Sequence, residues 1–134
     1  MTVIFCLDDQ NGLLFNRRRL SRDKAVSADI AVLAQNVHLR VSPYSVPLFE
    51  NICVPLASED FLDQAQPEDL CFVEDRDITP YLSKIERIII YRWNRRYPSD
   101  TRLEPSLLKA FEKTESIDFP GNSHENITRE VYRA

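Results

Sequence analysis

Val3-Ile4-Phe5-Cys6-Leu7, broken at once by Asp8-Asp9-Gln10-Asn11-Gly12, is the stretch that decides the fold class. A short apolar run without polar alternation buries both faces, which marks a central strand of a covered sheet. Next comes a basic stretch, Asn16 to Arg22, and then a helix signal. Ser21 is placed to cap that helix with Asp23 in its first turn, and Val26, Ile30 and Leu33 follow at helical spacing, predicting a helix over 22–36. Residues 37–42 alternate like a strand, 43–50 suit a short turn or helix, 51–56 another strand and 58–65 a second short helix. Strands are predicted over 70–74 and 86–93, the latter carrying Ile88-Ile89-Ile90, whose branched side chains suit a buried sheet. Strands alternating with helices predict an α/β layer structure. Past Asn94 the signals conflict. Segment 108–119 has no clear type, and 124–133 stays open between helix and strand, since Ile127 and Val131 sit four apart within a run of good strand formers.

The chain of 134 residues fits one domain, with 43% apolar and 28% charged residues, as in an ordinary globular protein. A formal charge of -4 and a pI near 5.2 argue against attraction of the whole molecule to nucleic acid or anionic lipid. No stretch is long and apolar enough to span a membrane, and Met1 to Leu7 lacks the basic start of a signal peptide, so a cytoplasmic protein is expected. Cys6, Cys53 and Cys71 are odd in number, far apart and set among apolar residues, and read as small buried hydrophobes. A zinc site is not expected, because CxxC is absent and His38 and His124 lie 86 positions apart. Asp8 and Asp9 have no ligand spacing that would make them a cation site. With only Gly12 and Gly121, the chain has almost no means of building a glycine-rich cradle for a nucleotide.

Two basic clusters are candidates for anion or RNA binding. Arg17, Arg18, Arg19 and Arg22 bring four guanidinium groups into six positions. Arg92-Trp93-Asn94-Arg95-Arg96-Tyr97 interleaves arginines with aromatics, the combination that stacks bases and neutralises a backbone. Both also fit plainer readings, a solvated loop for the first and, for the second, a strand with Tyr91 and Trp93 packed on one face and Arg92 on the other. Ser123, His124 and Glu125 are adjacent, but neighbours on a strand point apart and no partner orienting the imidazole is evident.

Strand 3–7, the loop Asp9-Gln10-Asn11-Gly12-Leu13-Leu14 and the helix opening Leu20-Ser21-Arg22-Asp23 together resemble the start of dihydrofolate reductase. Tyr44-Ser45-Val46-Pro47-Leu48-Phe49-Glu50 and Ser99-Asp100-Thr101 before Leu103 resemble later pieces of that family. Asn122-Ser123-His124-Glu125, continuing to Arg129-Glu130-Val131-Tyr132, resembles its last strand. The resemblance implies a single domain over 1–134 with a twisted, mixed, largely parallel sheet. It also places Asp23 where the reductases hold a pterin ring, with Phe5, Leu7, Leu13, Leu20 and Val26 as its neighbours. The departures are equally specific. The loop between Gly12 and Asp23 is shorter than the family's mobile loop, the phosphate-binding turn is replaced by Ser42-Pro43-Tyr44-Ser45, and the stretch between strands 70–74 and 86–93 has no Gly-Gly pair. These are the pieces that hold the dinucleotide in the family, so no cofactor is expected. Small bacterial proteins of this appearance are sometimes labelled ribonuclease Z, but that enzyme's two-zinc histidine motif cannot be assembled from two histidines.

The leading expectation is therefore a shortened reductase-like protein of the cytoplasm, non-catalytic, that binds a small aromatic heterocycle through Asp23, Phe5, Leu7 and Leu20 or serves as an interaction protein. One alternative is a reductase with an atypical cofactor site. The other is RNA binding or processing through Arg17, Arg18, Arg19, Arg95 and Arg96. Strand edges uncovered by the shortening would be protected in a homodimer.

Overall fold

The Val3–Leu7 run does become the centre of the molecule. In the computed structural model, which describes residues 1–134, Val3, Ile4, Phe5 and Leu7 are completely buried. In chain order the elements are β1 (Thr2–Leu7), β2 (Gly12–Phe15), β3 (Arg18–Arg19), α1 (Lys24–Leu33), β4 (Leu39–Val41), β5 (Leu56–Ala57), α2 (Phe61–Gln64), β6 (Leu70–Phe72), β7 (Arg87–Arg92), β8 (Thr101–Arg102), β9 (Glu112–Phe119) and β10 (Ile127–Arg133). Three 3₁₀ helices span Pro43–Phe49, Thr79–Lys84 and Pro105–Ala110.

A seven-stranded sheet runs in the order β5-β4-β6-β1-β7-β10-β9. Its first five strands are parallel, and β10 and β9 join antiparallel. The sheet is thus mixed and largely parallel, as the sequence implies. Alternation along β1 and β7 splits the core in two. Val3, Phe5, Leu7, Ile88 and Ile90 pack with Phe61, Ile78 and Leu103 on one face. Ile4, Ile89, Tyr91 and Trp93 pack with Val26, Ile30, Phe49 and Ile127 on the other. The Tyr91 hydroxyl donates to Asp29 of α1 at 2.5 Å, and Arg129 of β10 pairs with the same carboxylate at 2.7 Å, fixing the helix to the sheet.

Several boundaries differ from the sequence reading. The helix begins at Lys24 and ends at Leu33, and its cap is Asp23, whose side chain accepts from the Ala25 N–H at 2.8 Å; Ser21 lies outside it. The strand expected over 51–56 shrinks to Leu56–Ala57, because Asn51 takes a φ of 63° and the Ile52 and Cys53 N–H groups both turn back to the Phe49 carbonyl. Of segment 124–133, Ile127–Arg133 resolves as strand β10, paired with both β7 and β9, while 124–126 belong to the preceding loop. Ile127 and Val131 share a face there too, since a spacing of four fits both periods. Of the cysteines only Cys71 is fully buried, and burial pushes its thiol up to about 12; Cys6 and Cys53 are half-buried.

A smaller sheet, β3-β2-β8, stands over the carboxyl ends of β1 and β7. Asn16 and Arg17 close its hairpin with φ of 51° and 63°, the two positive values a type I′ turn requires. The basic stretch is therefore a tight hairpin. The β1–β2 turn is held by the buried carboxylate of Asp8, which accepts from the N–H groups of Gly12 at 2.6 Å, Gln10 at 2.9 Å and Tyr97 at 2.9 Å. Glycine at 12 answers to space: a Cβ there would lie 2.7 Å from the Asp8 carboxylate and 2.8 Å from Ser99. Gly12→Ala should therefore cost about 1–3 kcal/mol in denaturant unfolding; a wild-type midpoint would show that the turn tolerates the extra carbon.

Candidate active site

The carboxyl ends of parallel strands are where α/β sheets usually bind ligands. Here the N-terminus of α1, the turn after β7 and the loop between β9 and β10 meet. Asp23 is their common point. Its Oδ1 accepts from the N–H groups of Ala25 and Asn122, both at 2.8 Å. Its Oδ2 accepts from the N–H of Ser123 at 2.9 Å and of His124 at 3.1 Å, and faces His124 Nδ1 at 2.9 Å. Gly121 lets the loop come this close, since a Cβ there would sit 2.7 Å from Asp23 Oδ2. Burial alone would raise the Asp23 pKa, but the hydrogen bonds from Asn122, His124, Ser123 and Ala25 win and hold it far below the usual carboxylate range.

An ionised Asp23 can only accept, so it draws the His124 proton onto Nδ1 and leaves Nε2 of the neutral ring as an acceptor. Two hydroxyls meet that nitrogen, Ser21 Oγ at 3.2 Å and Tyr97 Oη at 3.0 Å. Trp93 stacks on the imidazole with centroids 4.6 Å apart and 20° between planes. The arrangement is a carboxylate, an oriented imidazole and a half-buried serine hydroxyl.

Tyr97 also lines a hollow of about 430 Å³ with Phe15, Asn16, Arg18, Arg19, Leu20 and Pro98. A second hollow of about 450 Å³ shares Phe15, Tyr97 and Pro98 and adds Gln10, Arg96, Ser99 and Arg102. Phe15, 49% exposed, is common to both. Arginines from two clusters far apart in sequence therefore converge on one aromatic surface.

The residues singled out from the sequence have separate fates. Leu20 and Arg18 line the first hollow and Arg96 the second, whereas Arg17 and Arg95 are exposed and line neither. Arg19 borders the first hollow, but its charge is taken: it forms a two-pronged pair with Glu74 at 2.9 and 3.0 Å and stacks over the Tyr44 ring at 4.3 Å. Phe5 and Leu7 belong to the core rather than to a pocket, because β1 is covered on both faces. Asp23 has both oxygens engaged by its own chain, so the structure turns to internal use the carboxylate that the resemblance assigns to a pterin. Arg92 pairs with Glu130 at 2.9 Å on the face opposite Tyr91 and Trp93.

The stretch between β6 and β7 forms only the short Thr79–Lys84 3₁₀ helix. It borders a hollow of about 460 Å³ whose charged lining is Glu74, Asp75, Asp77 and Glu104 against Arg76 and Arg102. Four carboxylates and no long helix N-terminus do not fit a pyrophosphate, so the residues where the family's dinucleotide elements would lie do not suit that cofactor. No three His, Cys, Asp or Glu side chains form a metal-ligand cluster. Asp8 spends its carboxylate on backbone N–H groups.

No protein-family model matches this sequence, and no curated protein matches it. Among solved structures, the chain is similar to dihydrofolate reductase from Enterococcus faecalis complexed with NADP(H) and RAB-propyl. The TM-score is 0.64 at 9% identity, covering 98% of this chain and 94% of that one. The protein has a dihydrofolate reductase-like fold; at this identity the likeness speaks for the fold alone.

Sequence reasoning missed His124 and Ser21. The sequence shows no partner near the histidine to orient it, because that partner, Asp23, lies 101 positions away. Ser21 reads as a helix cap, and the only local signal for another role is its closeness to Asp23 in Ser21-Arg22-Asp23. Asp23→Asn should cost about 3 kcal/mol, because the amide cannot accept this set of donors. Since the folded pKa is depressed, the advantage of the wild type is full above about pH 4 and declines as the pH falls toward the folded value. Equal unfolding free energies at neutral pH would remove Asp23 from this role.

Proposed function

We propose that the chain is a small-molecule-binding protein that has abandoned hydride transfer and takes a planar anionic ligand in the paired hollows around Phe15 and Tyr97. One observation carries this reading: Arg18 and Arg96, from separate clusters, flank a half-exposed phenylalanine and a tyrosine. Aromatic faces accept a flat ring and guanidinium groups a carboxylate or phosphate, which favours an aromatic heterocycle bearing an anionic group. Neither Arg18 nor Arg96 has a carboxylate partner, whereas Arg19 is neutralised by Glu74 and supports the hairpin. Three free cysteines fit a reducing compartment, in line with a cytoplasmic protein, and no helix is long and apolar enough to cross a membrane.

A second reading, single-stranded RNA, draws on the same surface, because Arg17, Arg18, Arg95 and Arg96 are all exposed and Arg18 and Arg96 flank Phe15. A second copy, if present, would find its apolar face at Val32, Ile52, Val54 and Leu56, exposed beside edge strand β5.

Titration calorimetry with folate, guanosine monophosphate and a short oligouridylate separates these readings. Binding of the small anions should weaken about 10-fold on Arg18→Ala or Arg96→Ala, and further with added salt, at unchanged melting temperature. Affinity confined to the oligonucleotide, with a steep salt slope, would favour RNA. Affinities that ignore both arginines would reject the site.

A further inference from the structure

Beyond binding, we propose that Ser21, His124 and Asp23 form a nucleophilic relay that hydrolyses esters of planar, anionic phenols or related alcohols delivered by the Phe15–Tyr97 hollow. The substrate class rests on the binding reading; the relay stands on its own geometry.

Three features make the serine a nucleophile. Its Oγ lies 3.2 Å from His124 Nε2, and the other imidazole nitrogen lies 2.9 Å from Asp23 Oδ2, so base and orienting carboxylate are in line. Asp23 is fully enclosed, its charge is held by backbone N–H groups, and Trp93 covers one face of the ring, so the imidazole has one orientation. The backbone N–H groups of Ser21 and Arg22 have no acceptor within the chain, which leaves them free to donate to a developing oxyanion. A helix cap would turn the Ser21 hydroxyl toward α1, but Asp23 already fills that position.

The chemistry balances with water as the only co-reactant. Ser21 Oγ bonds to the ester carbonyl carbon as its proton passes to His124 Nε2, and the carbonyl π pair moves onto oxygen. Collapse of that oxyanion breaks the bond to the leaving phenolate, which takes the proton from Nε2 and leaves an acyl-serine. Water then attacks the acyl carbon, giving a proton to Nε2. The acid departs as Ser21 regains its proton from His124. Tyr97 lines the hollow and its Oη lies 3.0 Å from Nε2, so one side chain joins the hollow to the relay.

The test uses the full chain, 4-acetoxybenzoate as a planar anionic ester, 4-nitrophenyl acetate as its neutral counterpart, and a fluorophosphonate probe. The wild type should cleave 4-acetoxybenzoate and become phosphonylated at Ser21, located by peptide mass spectrometry. Ser21→Ala should lower turnover by about 100-fold or more and abolish labelling, while keeping the melting temperature and the affinity for 4-hydroxybenzoate. Arg18→Ala should raise KM for 4-acetoxybenzoate by a larger factor than it raises KM for 4-nitrophenyl acetate. Turnover in Ser21→Ala equal to wild type, or phosphonylation at another residue or none, overturns the relay. Ser21 labelling without preference for the anionic ester would sustain the relay and reject the hollow as its substrate site.

Discussion

The Asp23 carboxylate is a buried charge, and its enclosure governs what surrounds it. An ionised group removed from water is tolerated only when its lone pairs meet donors. Here the donors come from the start of α1 and from the loop between β9 and β10, so satisfying one side chain locks the helix to the C-terminal hairpin. The same saturation changes the use of the site. A carboxylate that accepts from its own backbone is not free to grip a heterocycle, and what it offers instead is a fixed imidazole with its second nitrogen turned toward two hydroxyls.

Charge is distributed unevenly about this centre. Around Phe15 and Tyr97, Arg18 and Arg96 face solvent without carboxylate partners, so the surface is locally basic. Beyond the small sheet, Glu74, Asp75, Asp77 and Glu104 line the hollow bordered by the short connection between β6 and β7. Arg19 sits between the two regions and is tied to the acidic one. The fold thus combines a dihydrofolate reductase-like sheet with a basic surface on one side and an acidic hollow on the other.

Much of the architecture was legible in short-range patterns. The apolar run at Val3–Leu7 and the Ile88-Ile89-Ile90 triple form central strands, since a covered sheet buries consecutive large, branched side chains on both faces. Tyr91 and Trp93 pack on one face and Arg92 on the other, as alternation requires. The ordered series of weak motifs pointed to the fold that the comparison with solved structures bears out. The site was less legible, since the contact that defines it joins Asp23 to His124 and no local pattern encodes a partner so distant in sequence. Phe5 and Leu7 were placed near a ligand by resemblance, yet strand position alone makes them core. Asn51–Leu56 was read as extended from composition, and a left-handed asparagine redirected it.

The site turns on the orientation of one imidazole. Long-range ¹⁵N–¹H correlation spectra of the histidine side chains, with His124 assigned by comparison with a His38→Gln variant, report which ring nitrogen carries the proton. The geometry predicts the His124 tautomer with its proton on Nδ1 and Nε2 bare. A neutral ring protonated at Nε2 instead would contradict it, because Asp23 would then not be the orienting carboxylate and Ser21 would have no base.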